Sequence, residues 1–239
     1  MKNVLVVTDN VYLLEKLKNL VDSNNFEAIF KFRNSPGKVD GSLMAVYELS
    51  PINLKEEWQQ VVQDYDLVIS IHCKQIFPAE MTRLVKCINV HPGLNPYNRG
   101  WYPQVFGIIN NLPWGVTIHE IDEKLDHGDI IIQEQMDLHA WDTSSSAYIR
   151  ALDKEIELLK KVLNKIIDGN YSTTKMPSEG NVNIKKDFKD LCALDLNEKV
   201  TMKEAINRLR AMSFEGYKNA FYIDDLGNKI FIRVELEKE

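Results

Sequence analysis

The chain has 239 residues, 44% hydrophobic and 27% charged, with a formal net charge of −6. That is the composition of a globular chain able to build one substantial α/β domain with an appendage, and the acidic balance disfavours a protein made to grip nucleic acid, which needs a basic face. The amino-terminal apolar run is too short for a signal peptide or membrane span, and the three scattered cysteines, Cys73, Cys87 and Cys192, read as buried thiols of a reducing compartment, so a cytoplasmic protein is expected.

Val4 to Val7 is a short β-branched run suited to a strand covered on both faces. It leads into a helix over Leu13 to Val21, with Thr8 and Asp9 as candidate caps. No glycine occurs between residues 8 and 14, which argues against a dinucleotide-binding turn and hence against a nicotinamide or flavin cofactor. Phe26 to Phe32 reads as a second strand, closed by the turn Asn34-Ser-Pro-Gly37. Leu54 to Tyr65 reads as a helix and Asp66 to Cys73 as a central strand. Pro78 opens a helix with Met81, Leu84 and Val85 inward, and Cys87 to His91 is the next strand. Strands alternating with helices imply a parallel sheet with right-handed crossovers, whose ligands bind beyond the carboxyl ends of the strands.

A helix is expected over Tyr102 to Asn110, then strands over Pro113 to Asp122 and Ile130 to Met136, separated by the turn Asp126-His-Gly-Asp129. The longest helix runs from about Thr143 to Asp168. Its stripe is Ile149, Leu152, Ile156, Leu159, Leu163 and Ile166, and Gly169 stops it. Residues 170–198 are polar and aperiodic and read as a surface connection. A short helix capped by Thr201 and a hairpin around Asp224-Asp-Leu-Gly-Asn228 complete the chain. A single hairpin is marginal alone, so this one must pack on the main domain or on a second copy. The expected division is a catalytic domain over 1–170 and a connecting segment, helix and hairpin over 171–239.

The chemistry concentrates after the strand Cys87 to His91. Asn89 and His91, two apart, leave the strand on one side while Ile88 and Val90 leave on the other. Asp126 lies in a turn after a later strand. An amide and an imidazole side by side can hold an oxygen that gains negative charge, and a carboxylate can orient the imidazole. No Ser, Cys or Thr stands beside His91 as a nucleophile, so the set suits direct acyl transfer to an amine with His91 as base. His72, His119 and His127 lack paired metal-ligand spacing; they are assigned to structure and no metal is expected.

Asn89-Val-His91-Pro92, the loop Leu94-Asn-Pro-Tyr-Asn-Arg-Gly100, Gly115-Val-Thr-Ile-His119 and Asp126-His-Gly-Asp-Ile-Ile131, in that order, resemble the folate-dependent formyltransferases. The resemblance spans roughly the first 140 residues and implies a Rossmann-like formyltransferase domain with a small C-terminal helix and hairpin appendage. It places Asn89, His91 and Asp126 on the catalytic positions and implies N10-formyltetrahydrofolate as formyl donor. The pterin would lie against main chain at Gln75, Ile76 and Phe77 and at Ile121, Asp122 and Leu125.

Within the family, the loop Asn95 to Gln104 and the strand end His72 to Gln75 look closest to enzymes that formylate dTDP-linked amino-dideoxysugars, such as dTDP-4-amino-4,6-dideoxyglucose, for surface polysaccharides such as lipopolysaccharide O-antigen. Lys74 and Arg99 would meet the diphosphate, with Asn95 and Asn98 in the same loop. Trp101 would wall the sugar, and Tyr217 and Phe221 would stack on the base. The implied partners are this nucleotide sugar and a second copy bound through the C-terminal region, with neither nucleic acid nor membrane. Formyl transfer to another amine or to water, or a folate- or nucleotide-binding protein without chemistry, stays open on the residues alone.

Overall fold

The computed structural model describes residues 1–239. β1 (Lys2–Thr8), α1 (Val11–Asp22), β2 (Ala28–Asn34), α2 (Gly41–Val46), β3 (Ser50–Pro51), α3 (Leu54–Asp64), β4 (Leu67–Ile71), α4 (Ala79–Leu84) and β5 (Lys86–His91) alternate through its first part. Then come β6 (Arg99–Gly100), α5 (Pro103–Asn110), β7 (Trp114–Glu120), β8 (Ile130–Met136) and α6 (Ser144–Asp168). β9 (Val182–Asn183), α7 (Lys185–Cys192), α8 (Met202–Met212), β10 (Phe221–Ile223) and β11 (Lys229–Phe231) follow. No helix is long and apolar enough to cross a membrane.

Seven strands form one sheet in the order β3-β2-β1-β4-β5-β7-β8. The first five pair in parallel, as suits fully buried and largely apolar runs such as Leu67–Ile71, covered on both faces. The parallel pattern stops at β5, because β7 runs antiparallel to it. In that register Asn89 pairs with Ser70 on one side and with His119 on the other.

The chain forms two compact units. The first comprises Met1–His91, Thr117–Gln133 and Lys154–Pro177; the second comprises Pro92–Val116, Glu134–Asp153 and Ser178–Glu239. They are discontinuous in sequence. In the first unit, Leu5, Val7, Val61, Val68, Phe77, Met81 and Cys87 are buried together. The second has a separate core of Val105, Ile108, Ala211, Met212 and Ala220, against which Tyr102 and Phe188 pack.

Several local expectations change. Asn10, not Thr8 or Asp9, caps α1, accepting from the Leu13 N–H at 3.1 Å. Asp9 instead accepts from the Ser35 N–H and hydroxyl and from the Lys74 N–H, tying three strand ends together. Leu84 and Ile149, expected inward, are 65% and 51% exposed. The stretch 170–198 is not an unstructured connection, since it contains β9 and α7. The hairpin strands are three residues each, shorter than their apolar runs. Two stops follow the sequence. Gly169 adopts φ +70° after α6, with N–H groups of Gly169 and Asn170 returning to the Ile166 and Lys165 carbonyls. Thr201 and Glu204 form a reciprocal capping box on α8.

Candidate active site

β5 is a central strand, with Ile88 and Val90 at or near zero exposure holding it in place. The pleat then sends Asn89 and His91 to the opposite side from these anchors. Asp126 reaches them from the turn after β7. That turn needs two unusual backbone features. Asp126 itself has φ +46°, and a Cβ at residue 128 would lie 1.9 Å from the Glu120 carbonyl oxygen, so only glycine lets the turn close against β7. This is the physical content of the Asp-x-Gly pattern.

The Asn89 side-chain N–H donates to Asp126 Oδ1 at 2.9 Å, and His91 Nδ1 lies 3.6 Å from Asp126 Oδ2. The side chains of His91 and Asp126 are only 6% and 11% exposed, so the charge on the carboxylate acts in a poorly screened setting. The structure therefore brings Asn89, His91 and Asp126 together.

Sequence reasoning assigned His119 to structure, yet it belongs to the same cluster. It is 1% exposed, and its Nδ1 sits 2.6 Å from the Glu120 carbonyl oxygen. A carbonyl only accepts, so Nδ1 carries the proton and Nε2 of the neutral ring is an acceptor. Nε2 accepts from Asn89 at 3.3 Å and is 3.8 Å from Asp126 Oδ1. The two hydrogens of the Asn89 amide are thus shared between Asp126 and His119, which fixes the plane of the amide. The available signal was the pairing of Asn89 with His119 across an antiparallel β5–β7, invisible while the sheet was read as parallel throughout.

A second buried polar pair lies at the end of β4. Glu155 of α6 is fully buried and receives His72 Nε2 at 2.9 and 3.0 Å. Burial pushes its carboxyl above the ordinary value, and the adjacent His72 opposes that rise. No group of three or more His, Cys, Asp or Glu is arranged to hold a metal ion.

The remaining expected site residues are placed as follows. Gln75 uses its side chain internally, accepting from the Leu54 N–H and donating to the Ile52 carbonyl and the Ser35 hydroxyl. Ile76 is 89% exposed while Phe77 is buried in the first core. Ile121 packs on that core and donates its N–H to Cys87. Asp122 accepts from His127 and from the Lys124 N–H, and Leu125 is 47% exposed.

Lys74 is exposed. Asn95 and Asn98 are buried, the latter completely. Arg99 departs from the surface cation expected to meet a diphosphate: it is 5% exposed and its Nη2 donates to the Glu179 carbonyl at 2.7 Å. A partner 80 residues away is not legible from local charge. Trp101 carries Lys185 Nζ 3.9 Å from its ring centre. Tyr217 is exposed and stands edge-on to Phe214, while Phe221 packs against Phe231 with the Lys229 ammonium close to both rings.

Comparison with known proteins decides the family. Residues 2–163 match the formyl transferase model, and residues 187–238 match an N-formyltransferase dimerization C-terminal domain. The chain belongs to the formyl transferase family. It is 44% identical over 237 residues to the dTDP-4-amino-4,6-dideoxyglucose formyltransferase of Mycobacterium tuberculosis, covering 99% of this chain and 97% of that protein. A methionyl-tRNA formyltransferase of Lachnospira eligens is 28% identical over 204 residues, 82% of this chain and 64% of that one. Among solved structures, a 4-N formyltransferase from Francisella tularensis superposes with a TM-score of 0.95 at 46% identity, covering 100% of this chain and 99% of that one.

Proposed function

We propose that the protein transfers a formyl group from N10-formyltetrahydrofolate to the 4-amine of dTDP-4-amino-4,6-dideoxyglucose. The observation that carries this reading is the convergence of Asn89, His91 and Asp126 in a chain matched over almost its whole length by the Mycobacterium tuberculosis enzyme of that name. The folate supplies an activated one-carbon acyl group. Asn89 directs an amide N–H at the formyl oxygen as negative charge develops there, giving up its longer contact to His119 to do so. His91 takes the proton that the attacking amine must lose, and Asp126 stabilises the imidazolium so formed. No covalent enzyme intermediate is needed, because the amine attacks directly. Gln75 to Phe77 and Ile121 to Leu125 form the proposed folate wall, and the loop from Asn95 to Trp101 the acceptor wall, with Lys74 as the exposed cation for the diphosphate.

The protein is further proposed to act in the cytoplasm as a homodimer, its product destined for surface-polysaccharide assembly. The C-terminal family match supports the dimer, as do the exposed apolar side chains Ile223, Leu226, Ile230 and Phe231 on the C-terminal hairpin. Light scattering would read the dimer directly, and a monomer at micromolar concentration would reject it.

The function is tested by incubating the protein with formyltetrahydrofolate and a panel of dTDP- and UDP-linked amino sugars. The expected result is a mass gain of one formyl group on the dTDP-4-amino sugar and release of tetrahydrofolate. Formylation of a different amine alone, or folate consumption with no acceptor present, would overturn the assignment.

A further inference from the structure

The segment between the two matched regions, residues 164–186, is covered by neither family model. Its last part does something specific in the second unit. β9 pairs in parallel with β6, and the Arg99 and Trp101 N–H groups donate to the Asn181 and Asn183 carbonyls at 3.0 and 2.9 Å. The Asn181 side chain then grips one residue at two points. Its Oδ1 accepts from the Asn98 N–H at 2.9 Å, and its Nδ2 donates to Asn98 Oδ1 at 2.9 Å. Asn110 and Asn183 donate to that same oxygen at 2.8 and 3.4 Å.

Asn98 sits at φ +49° with no exposure; asparagine tolerates this conformation better than most side chains, and its partners fix the turn there. Two neighbours extend the grip. Arg99 Nη2 donates to the Glu179 carbonyl. Gly180, at φ +59°, passes so close to the loop that a Cβ there would meet the Pro96 carbonyl oxygen at 1.9 Å. Nothing in the loop's own sequence supplies these contacts.

We propose that residues Glu179 to Asn183 are a positioning strap for the loop Asn95–Trp101, with Asn181 as its key, and that the strap sets the affinity for the amino-sugar acceptor. This inference rests on the reading of that loop as the acceptor wall. The strap's hydrogen bonds described above go to Asn98, Arg99 and Trp101 of this loop, so its loss is expected to act on the acceptor and not on the folate. Asn181 and Gly180 are therefore positioning residues for acceptor binding, through the loop they hold.

The test uses the full-length enzyme with two variants, Asn181→Asp and Gly180→Ala. The first keeps size and the acceptor oxygen but replaces the donor, setting a carboxylate against Asn98 Oδ1. The second adds one methyl group against the Pro96 carbonyl. A misplaced wall loses contacts made equally in the bound and transition states, so the acceptor KM is expected to rise at least about tenfold, with kcat and the KM for formyltetrahydrofolate within about twofold of wild type. Equal losses for both substrates, or an unchanged acceptor KM, would overturn the proposal.

Hydrogen exchange of the ligand-free protein separates this inference from the functional reading. Faster exchange over residues 95–101 in both variants, with β5 still protected, is expected whichever amine is the substrate. If exchange does not change, the strap fails as a positioning element even where the sugar assignment holds. If exchange rises but wild type formylates no nucleotide sugar, the acceptor role fails together with that assignment.

Discussion

Two asparagines organise two polar clusters of very different kinds. Asn89, half-buried at the end of β5, shares its amide hydrogens between a carboxylate and an imidazole, two groups able to gain or lose protons. Asn98, wholly buried in the second unit, receives three neutral amides. A network of titratable groups can pass a proton during a reaction, at the cost of depending on pH. A network of neutral amides does not change its charge at any physiological pH, and it holds a shape without regard to it. The difference separates chemistry from fit within one chain.

The sharpest way to break that comparison is His91→Asn. If the first cluster handles the proton, turnover should fall by roughly 10³-fold or more with the melting temperature unchanged, as expected for loss of a general base. Near-normal turnover in this variant would remove the basis for calling the Asn89 cluster catalytic. Gly128→Ala attacks the same cluster through the backbone. Its new Cβ would collide with the Glu120 carbonyl, so the turn carrying Asp126 must move. A loss of about 2–4 kcal/mol in denaturant unfolding is expected, together with most of the activity.

His119→Phe is a milder cut, leaving the triad chemically intact while freeing the Asn89 amide. It should lower kcat by roughly tenfold with little change in either KM, and it should alter the pH profile of kcat. Asn181→Asp should leave that profile where it was. Identical pH behaviour in the two variants would erase the proposed division between the clusters.

The smallest expected effect concerns Glu155. Its folded-state value lies above the ordinary 4.5 because burial disfavours the carboxylate, with His72 in opposition. The neutral acid is the form that fits, so its stabilisation is full below that ordinary value and is lost as pH rises through the raised one. Glu155→Gln, which stays neutral, should gain on wild type in thermal melts as pH goes from about 5 to about 8. A stability gap constant across that range would show that the carboxylate is fully compensated by its partner.

Much of the first unit was legible because β1 and β4 are short runs dominated by apolar side chains. Val4 to Val7 and Leu67 to Ile71 can hardly be anything but buried strands between helices. The elements that escaped notice were short or polar. α2 buries no side chain, β3 is two residues long and includes a proline, and α7 reads Lys-Lys-Asp-Phe-Lys-Asp-Leu-Cys with nothing fully buried. Leu84 and Ile149 mark the limit of periodicity, which finds an apolar face without saying what covers it.

At the candidate site, the spacing of Asn89 and His91 on a strand was readable, and Asp126-x-Gly128 was readable as a turn. His119 was not, because its relation to Asn89 depends on strand direction. The contacts that tie Arg99 and Asn98 to the segment 179–183 could not be assigned from nearby residues, since these partners lie 80 or more positions away.

The pairing of β6 with β9 also bears on how relatives could be recombined. A crossover placed between the two matched regions, anywhere from residue 164 to residue 178, would take the loop Asn95–Trp101 from one parent and the segment that clasps it from the other. Such a chimera inherits a lock and a key cut for different proteins. Grafting the loop together with residues 179–183 keeps the amide contacts matched, so these two stretches travel as one heritable unit although about 80 residues of sequence lie between them.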